Sequence, residues 1–111
     1  MRSKRALYIA EREGKQTIEN DKGFIEFLYT PERREVYITD MYILPEFRQM
    51  RNGRELYDKV EMEARERNCE YIIASYDTDT KGWEITKNAL RNVGFTSYTI
   101  QENFITLRKD L

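Results

Sequence analysis

The sequence predicts an α/β fold, a three-layer α/β/α sandwich built around a mixed sheet that is mostly antiparallel. Three observations support this prediction. Aromatic and β-branched residues form three short segments before residue 45, and turn residues separate them. An amphipathic helix follows, and the continuous apolar run 71–74 comes shortly after it. A helix between two neighbouring strands makes a parallel crossover, whereas short turns make antiparallel hairpins.

A short helix and three strands are expected in the first 44 residues. Residues 3–13 favour a helix that ends at Gly14, because glycine readily adopts the left-handed conformation of a helix cap. Aromatic and β-branched residues predict strands over 16–19, 24–29 and 35–44. Turn residues at 20–23 and 30–32 separate these strands, so we expect two antiparallel hairpins.

A second helix is predicted over 51–67, after Pro45 has ended the third strand. Leu56, Val60 and Ala64 fall four residues apart and share one helical face, which we expect to pack on the sheet. Acid–base pairs with the same spacing lie on the other faces: Glu55 with Lys59, Glu61 with Arg65, and Glu63 with Arg67.

The remaining segments complete the sheet. The apolar run within 69–76 lacks polar alternation, as expected of a central strand that is covered on both faces. A third helix over 80–93 presents Thr86, Leu90 and Val93 on one side and ends at Gly94. Segments 95–100 and 103–107 then form a closing hairpin. Since the sequence has no repeats or linker-like tracts, we expect residues 1–111 to form a single domain.

Composition limits the classes of function. The 19 basic and 20 acidic side chains give a net charge of −1, so no overall field attracts nucleic acid or an anionic membrane. The sequence has no histidine and one cysteine, which excludes His-based catalytic triads and the usual zinc ligand sets. No stretch approaches the ~18 apolar residues of a membrane-spanning helix, and the apolar run 6–10 is too short for a signal peptide. Because a lone cysteine forms no internal disulfide, we expect a soluble, cytoplasmic protein.

Residues 40–56 carry the chemistry that the sequence offers. They run from a strand through a tight loop into a helix, and the first amides of a helix attract anions because they lack internal partners and lie at the positive end of the dipole. Gly53 would let a diphosphate approach the backbone, and Arg48, Arg51 and Arg54 could surround it with positive charge. The same arginines could instead be solvated charges that flank a helix.

This segment resembles motif A of the GCN5-related N-acetyltransferases (GNAT), in which a strand, a proline and an Arg-Gly-x-Gly-x-Gly loop lead into a helix. The resemblance spans residues 36–95. It rests on the following residues: Pro45, Glu46, Phe47, Arg48, Gly53, Arg54, Leu56, Gly94 and Phe95. It implies a GNAT fold and transfer of an acetyl group from acetyl-coenzyme A, the co-substrate, to an amine, with no metal.

In that family the strand before the proline separates from its neighbour and its backbone holds the pantetheine arm, while the loop binds the diphosphate. The coenzyme-binding residues that the resemblance implies are Met41, Tyr42, Ile43, Arg48, Gln49, Met50, Arg51, Asn52, Gly53 and Arg54. Gln49 and Arg51 stand where the family has glycine, although Asn52 tolerates the left-handed conformation that glycine would supply. Trp83 replaces a family asparagine, and Leu90 replaces the tyrosine that protonates the departing thiolate.

Three side chains are candidates for the proton transfer that amine attack requires: Glu26, Asp40 and Tyr76. Asp40 interrupts an apolar strand, and Tyr76 lies at the end of the central strand where ligands bind in open α/β sheets. Glu26 could instead be a solvent-facing strand residue, and Tyr76 a core residue. Cys69 lies at the opposite end of the central strand, which favours direct amine attack in a ternary complex over an acetyl-cysteine intermediate.

Two functional hypotheses follow from the sequence. The first is an N-acetyltransferase whose acceptor is a small-molecule amine or a protein lysine. The alternative is a non-catalytic module with the same fold that binds a protein partner, and the four departures from the family pattern favour it. The chain is short for the family, and we expect it to lack the first strand and helix that often cover the acceptor side. A second copy in a homodimer, or a partner protein, could therefore complete that side.

Overall fold

The computed structural model describes residues 4–48 and 51–111. Three α-helices lie in this part of the chain: α1 (Lys4–Glu13), α2 (Asn52–Glu66) and α3 (Trp83–Asn92). Six strands accompany them: β1 (Lys15–Asn20), β2 (Gly23–Thr30), β3 (Glu35–Ile43), β4 (Tyr71–Asp77), β5 (Thr96–Gln101) and β6 (Phe104–Asp110). Each predicted element is present, and most boundaries differ from the prediction by one to three residues.

The six strands form one sheet in the order β1-β2-β3-β4-β6-β5. Only β3 and β4 pair in parallel, and α2 makes the crossover between them; the other described pairs are antiparallel. The predicted α/β class, with a mixed sheet and a parallel crossover after the third strand, is confirmed. The continuous apolar run in β4 lies mid-sheet, as its lack of polar alternation predicts.

The parallel pair β3–β4 is joined along only part of its length. Pairing begins with Glu35 opposite Tyr71 and ends with Ile38 opposite Ala74. Beyond that point β3 stays paired with β2 as far as Ile43, and β4 stays paired with β6 as far as Asp77. The two central strands therefore separate toward their carboxyl ends, and we call the space between them the β3–β4 cleft.

Helices α2 and α3 cover one face of the sheet, which we call the helix face. Leu56, Val60 and Ala64 of α2 are fully buried there, as predicted, against strand residues such as Val36 and Ile72. The opposite face, which we call the polar face, carries the alternate strand residues. Helix α1 packs against β1, and the burial of Thr17, which points away from the helix face, places α1 on the polar face.

The buried side of α3 differs from the prediction. Leu90 and Val93 pack against the core as expected, but Thr86 is exposed and Trp83 takes its place in the contact. The indole has far more apolar area to bury than a threonine, so the helix turns that side toward β4. Of the three acid–base pairs predicted on α2, Glu61–Arg65 forms at 3.5 Å. Glu63 instead accepts a hydrogen bond from the hydroxyl of Tyr29.

Candidate functional site

The β3–β4 cleft opens at the carboxyl ends of the two strands, where α/β sheets bind their ligands. The amide of Leu44, just past β3, donates to the carbonyl of Lys22 on the β2 side at 2.8 Å. Backbone amides alternate in direction along a strand, so those of Met41 and Ile43 point away from β2 and toward the cleft. These are the two residues whose backbone the family resemblance assigns to the pantetheine arm.

Two side chains currently hold the backbone at this position. The carboxylate of Asp40 accepts a hydrogen bond from the amide of Met41 at 2.9 Å. The Nε of Arg48 donates to the carbonyl of Ile43, also at 2.9 Å, and its guanidinium lies 5.6 Å from the centre of the Tyr42 ring. Arg48 is therefore anchored at the mouth of the cleft, close to the start of α2.

The first amides of α2 have no hydrogen-bond partner among the described residues. Arg51, which precedes the helix, has no side-chain hydrogen bond to the first turn, and the first intrahelical bond runs from the amide of Glu55 to the Arg51 carbonyl. Arg51 itself adopts the left-handed conformation, with φ of 66°. The expectation that Asn52 would supply this conformation is wrong, because Asn52 is already helical. A non-glycine residue therefore carries a strain of about 1 kcal/mol at a family glycine position.

Asn52 has another function, which the sequence pattern gave no reason to expect. Its side chain is only 5% exposed, and its Nδ2 donates to the carbonyl of Phe47 at 2.7 Å. The bond ties the start of the loop to the start of the helix. A buried amide requires a partner, and the burial of Asn52 becomes evident only in the folded structure.

The loop arginines are not equivalent. Arg54 forms an ion pair with Asp58, one helical turn further on, at 3.0 Å, so its charge is directed along the helix rather than at its start. Arg51 is exposed and makes no ion pair with the described part of the chain. Gly53 lies beside Met41, and a methyl group added at Gly53 would lie 3.5 Å from the Met41 Cε. Gln49 and Met50, also predicted to bind coenzyme, lie outside the described residues.

Two of the three candidate proton carriers lie together on the polar face. Glu26 of β2 is directly opposite Asp40 of β3. A β-bulge at Thr39 shifts the register here, and the Thr39 hydroxyl donates to the Glu26 carboxylate at 2.8 Å. Lys15 forms an ion pair with the same carboxylate at 3.4 Å. Asp40 is exposed, so the cost of burying its charge does not arise.

The third candidate, Tyr76, lies on the helix face. It is 7% exposed, and its ring stacks on Trp83 with centroids 5.7 Å apart and an angle of 11° between the planes. Leu90 packs against the same core. Tyr76 is thus separated by the sheet from Glu26 and Asp40, and its part in proton transfer stays a prediction.

A row of hydroxyl groups on the polar face was not anticipated. The Tyr37 hydroxyl lies 2.9 Å from the Ser75 Oγ, which lies 3.1 Å from the Thr106 Oγ1. The three residues belong to β3, β4 and β6 and come together only when the sheet forms. Their spacing along the chain carries no periodic signal, so sequence reasoning could not group them.

Cys69 lies just before β4, at the opposite end of that strand from the cleft, as predicted. Burial raises the pKa of its thiol, and the nearby guanidinium groups of Arg67 and Arg34 only partly oppose that effect. A surface cavity of about 560 Å³ at this end is lined in part by Cys69, Arg34 and Arg108. Both arginines are ion-paired, with Glu70 and Asp110 respectively, so the cavity does not offer unneutralised positive charge.

Within residues 4–48 and 51–111, no group of three or more Asp, Glu or Cys side chains is arranged to hold a metal ion. None of the helices found there is long and apolar enough to cross a membrane.

Comparison with solved structures identifies close matches to this fold. A GNAT-family protein from Desulfovibrio desulfuricans is 15% identical, with a TM-score of 0.81 over 96% of this chain and 77% of its own. The ribosomal-protein-S18-alanine N-acetyltransferase of Escherichia coli is 14% identical, with a TM-score of 0.74 over 98% and 77% of the two chains. The PaiA N-acetyltransferase of Thermoplasma acidophilum, solved with coenzyme A, is 12% identical, with a TM-score of 0.76 over 96% and 68%.

At these identities the likeness concerns the fold alone, and each of these three proteins is longer than this chain. No curated protein matches the sequence. The model of the acetyltransferase (GNAT) family, however, matches residues 2–87, more than three quarters of the 111 residues. Together with the separated central strands and the proline-to-helix loop, this match establishes that the chain belongs to the GNAT acetyltransferase family.

Proposed function

We propose that this protein transfers an acetyl group from acetyl-coenzyme A to a primary amine, by direct attack within a ternary complex. The observation that carries the proposal is the β3–β4 cleft. Pairing between β3 and β4 stops at Ile38 and Ala74, so the strand edges beyond these residues are left for a ligand. The uncapped start of α2 lies at the same end of the sheet.

The residues around the cleft suit the parts of the coenzyme. The amide and the carbonyl of Ile43 face the cleft and can pair with the amide groups of a pantetheine arm, as another strand would, once Arg48 releases the carbonyl. The amides of the first turn of α2, which have no partner among the described residues, can bind the diphosphate, because helix starts attract anions. Arg48 and Arg51 add positive charge there, and Gly53 leaves the backbone accessible.

The amine must lose a proton, since an alkyl ammonium has a pKa of about 10 and cannot attack a thioester. Glu26 and Asp40 are adjacent on the polar face beside the cleft, and either carboxylate can accept this proton, directly or through one water molecule. Asp40 holds the Met41 amide in the free protein. We propose that it releases this amide to the acetyl carbonyl, which the amide then polarises.

The supporting comparisons are of two kinds. The family match covers most of the chain, and one structural neighbour, the PaiA N-acetyltransferase, was solved with coenzyme A. Another neighbour is named for acetylating an alanine of a ribosomal protein. For this chain we propose a small amine or a protein amine as the acceptor, and a second copy or a partner protein could complete the acceptor side.

The direct test compares the binding of acetyl-coenzyme A to wild type, Gly53→Glu and Gly53→Ala. Calorimetry measures the affinity, and thermal unfolding measures the stabilisation by bound ligand. Wild type should bind, and ligand at 100 times its Kd should stabilise it by about 2.7 kcal/mol. Gly53→Glu should lose this stabilisation, because the new carboxylate repels the diphosphate. The substitution should not unfold the protein, since an acidic side chain is favourable at a helix start.

Gly53→Ala is the matched control. Its methyl group would lie at ordinary contact distance from Met41, and alanine favours a helix by up to about 1 kcal/mol over glycine. This variant should fold and bind like wild type. Absence of binding to wild type at millimolar acetyl-coenzyme A would remove the proposal, and equal binding by Gly53→Glu would place the diphosphate elsewhere.

A non-catalytic module that binds a protein partner is the second candidate. The observation that favours it is the packing of Leu90 and Trp83 into the core at positions where the family resemblance implies catalytic or coenzyme contacts. Release of coenzyme A thiol in the presence of an amine separates the two candidates. An acetyltransferase releases thiol with at least one of spermidine, a lysine-containing peptide or a free peptide N-terminus, whereas a binding module releases none.

A further inference from the structure

Ser75 occupies a distinctive position in the sheet. It is the first residue of β4 beyond Ala74, where parallel pairing with β3 ends, so it lies at the base of the β3–β4 cleft. It alternates with Ala74 and Tyr76, which are buried on the helix face, and therefore projects from the polar face. Under the proposed acetyl transfer, the acetyl thioester lies between the separated strands, and Ser75 is the first residue of β4 that borders this space.

The Ser75 hydroxyl is held from both sides. Tyr37 of β3 reaches it at 2.9 Å and Thr106 of β6 at 3.1 Å, and in both contacts either oxygen can donate. Ser75 can therefore accept a hydrogen bond from a neighbour while its own hydrogen points into the cleft. Strand pairing fixes both neighbours, since Thr106 is directly opposite Ser75 and Tyr37 is opposite Ile73.

Polar groups lie on the two sides of the cleft at this level. On the β3 side, Thr39 bonds to the Glu26 carboxylate, which only accepts hydrogen bonds when ionised. On the β4 side, Ser75 and Thr106 of the adjacent β6 carry hydroxyl groups that can donate. The cleft thus has a proton acceptor on one side and proton donors on the other, as an acyl transfer from a thioester to an amine requires.

We infer that Ser75 is the catalytic residue that donates a proton to the departing sulfur, and that Tyr37 and Thr106 are positioning residues that hold its hydroxyl. The inference rests on the proposed acetyl transfer. It supplies a donor in place of the family tyrosine, where this chain has Leu90. Leu90 packs in the core and carries no hydroxyl.

The neutral amine nitrogen forms a bond to the acetyl carbon, and the carbonyl electron pair moves to oxygen. The surplus proton on nitrogen passes to the Glu26 carboxylate, and the carbonyl re-forms as the thiol group leaves. The carbon–sulfur bond breaks, and its electron pair goes to sulfur. The Ser75 hydroxyl gives its proton to sulfur as it takes one from Tyr37, in one concerted relay. Solvent reprotonates the Tyr37 oxygen, and Glu26 returns its proton to solvent. The products are the amide and the free thiol.

The sharpest test needs no acceptor. Coenzyme A bound to the protein is titrated through the pKa of its thiol, about 8.5 for a free thiol, and the thiolate is followed by ultraviolet absorbance. A donor at Ser75 stabilises the thiolate, so Ser75→Ala should make the bound thiol about tenfold less acidic than in wild type. Tyr37→Phe should have a smaller effect in the same direction, and Ser75→Thr should retain wild-type acidity.

Thr99→Val is the matched control, because Thr99 is an exposed hydroxyl residue on the same face, two strands away from Ser75. It should leave the thiol unchanged. Desulfo-coenzyme A, which lacks the sulfur, should bind wild type and Ser75→Ala equally, so that loss of folding or of the coenzyme site is recognised. A purely structural role for Ser75 would lower stability or affinity for both ligands and leave the thiol acidity of the bound form unchanged.

A kinetic measurement supports the titration. Hydroxylamine is largely unprotonated at neutral pH and needs no base, so enzyme-dependent thiol release from acetyl-coenzyme A isolates the departure of sulfur. Ser75→Ala should slow this release roughly 10²-fold. Failure of wild type to bind coenzyme A overturns both proposals. Binding with the same thiol acidity in wild type and Ser75→Ala overturns only the role of Ser75.

Discussion

The two ends of the β3–β4 pair are built on different principles. At the end where pairing begins, which we call the paired end, Val36 and Ile72 are fully buried. Backbone hydrogen bonds there join Glu70 to Arg34 and Leu111 to Glu70. Charges there are matched, as in the 2.8 Å ion pair of Arg34 with Glu70. At the cleft end, the strands have separated, and Met41 and Tyr42 are each more than 40% exposed.

This difference indicates how a small sheet can be stable at one end and bind a ligand at the other. The paired end supplies buried apolar area and satisfied backbone groups, which stabilise the fold. The cleft end keeps amides and hydroxyls without strand partners, which would be costly in a core but suit a polar ligand. Variants that affect one end and not the other test this division.

The largest effect is expected from Ile72→Ala at the paired end. Removing this fully buried side chain leaves a cavity beneath α2, and the free energy of unfolding should fall by about 2–5 kcal/mol. The comparison variant at the cleft end is Met41→Ala, where an exposed side chain is shortened and the change should stay within about 0.5 kcal/mol. Urea denaturation measures both. Similar losses for the two variants would mean that the cleft end contributes as much to stability as the paired end.

A smaller effect is expected from Asn52→Ala at the cleft end. The variant removes the buried bond from the Asn52 amide to the Phe47 carbonyl and leaves that carbonyl unpaired, at a cost of about 1–3 kcal/mol. Asn88→Ala changes an exposed asparagine in α3 and serves as the control, with little expected change. Because Asn52 ties the loop to α2, its variant should also bind acetyl-coenzyme A more weakly in calorimetry. Unchanged stability would mean that the loop start is held by other contacts.

The fold could be predicted because its signals are local. Alternation in β2, the apolar run in β4 and the four-residue spacing of Leu56, Val60 and Ala64 each reflect burial of one side of one element. The α3 face was only partly predicted, since the periodic pattern included Thr86 and the packing selected Trp83. Side-chain size decided between them, and a binary apolar pattern does not contain that information.

The candidate site was predicted less completely because it depends on contacts between distant segments. The proline, Arg48 and Gly53 could be recognised from the order of residues, and the structure brings Arg48 to the cleft mouth. The left-handed conformation of Arg51 and the row of hydroxyls that includes Ser75 could not. The first depends on how the loop closes, and the second forms only when β3, β4 and β6 are side by side.

The smallest expected effect concerns the charge of Glu61, which lies on the helix face near the paired end. Burial of Glu61 favours its neutral form, but hydrogen bonds from Lys109 and Tyr57 outweigh burial and lower the pKa of its carboxyl group below the ordinary 4.5. Lys109 is opposite Ile72 in the sheet, so this contact joins α2 to the paired end.

A carboxyl group whose pKa is lower in the folded state stabilises the fold above its unfolded pKa, and this contribution is lost as the pH falls through the folded pKa. Glu61→Gln should therefore be less stable than wild type at neutral pH, by about 1 kcal/mol or less, and the difference should shrink as the pH falls below about 4.5. Urea denaturation of both proteins across this range measures it. Glu66→Gln, which changes an exposed carboxylate at the end of the same helix, is the control. A difference between wild type and Glu61→Gln that does not change with pH would mean that the contact depends on shape and hydrogen bonding rather than on charge.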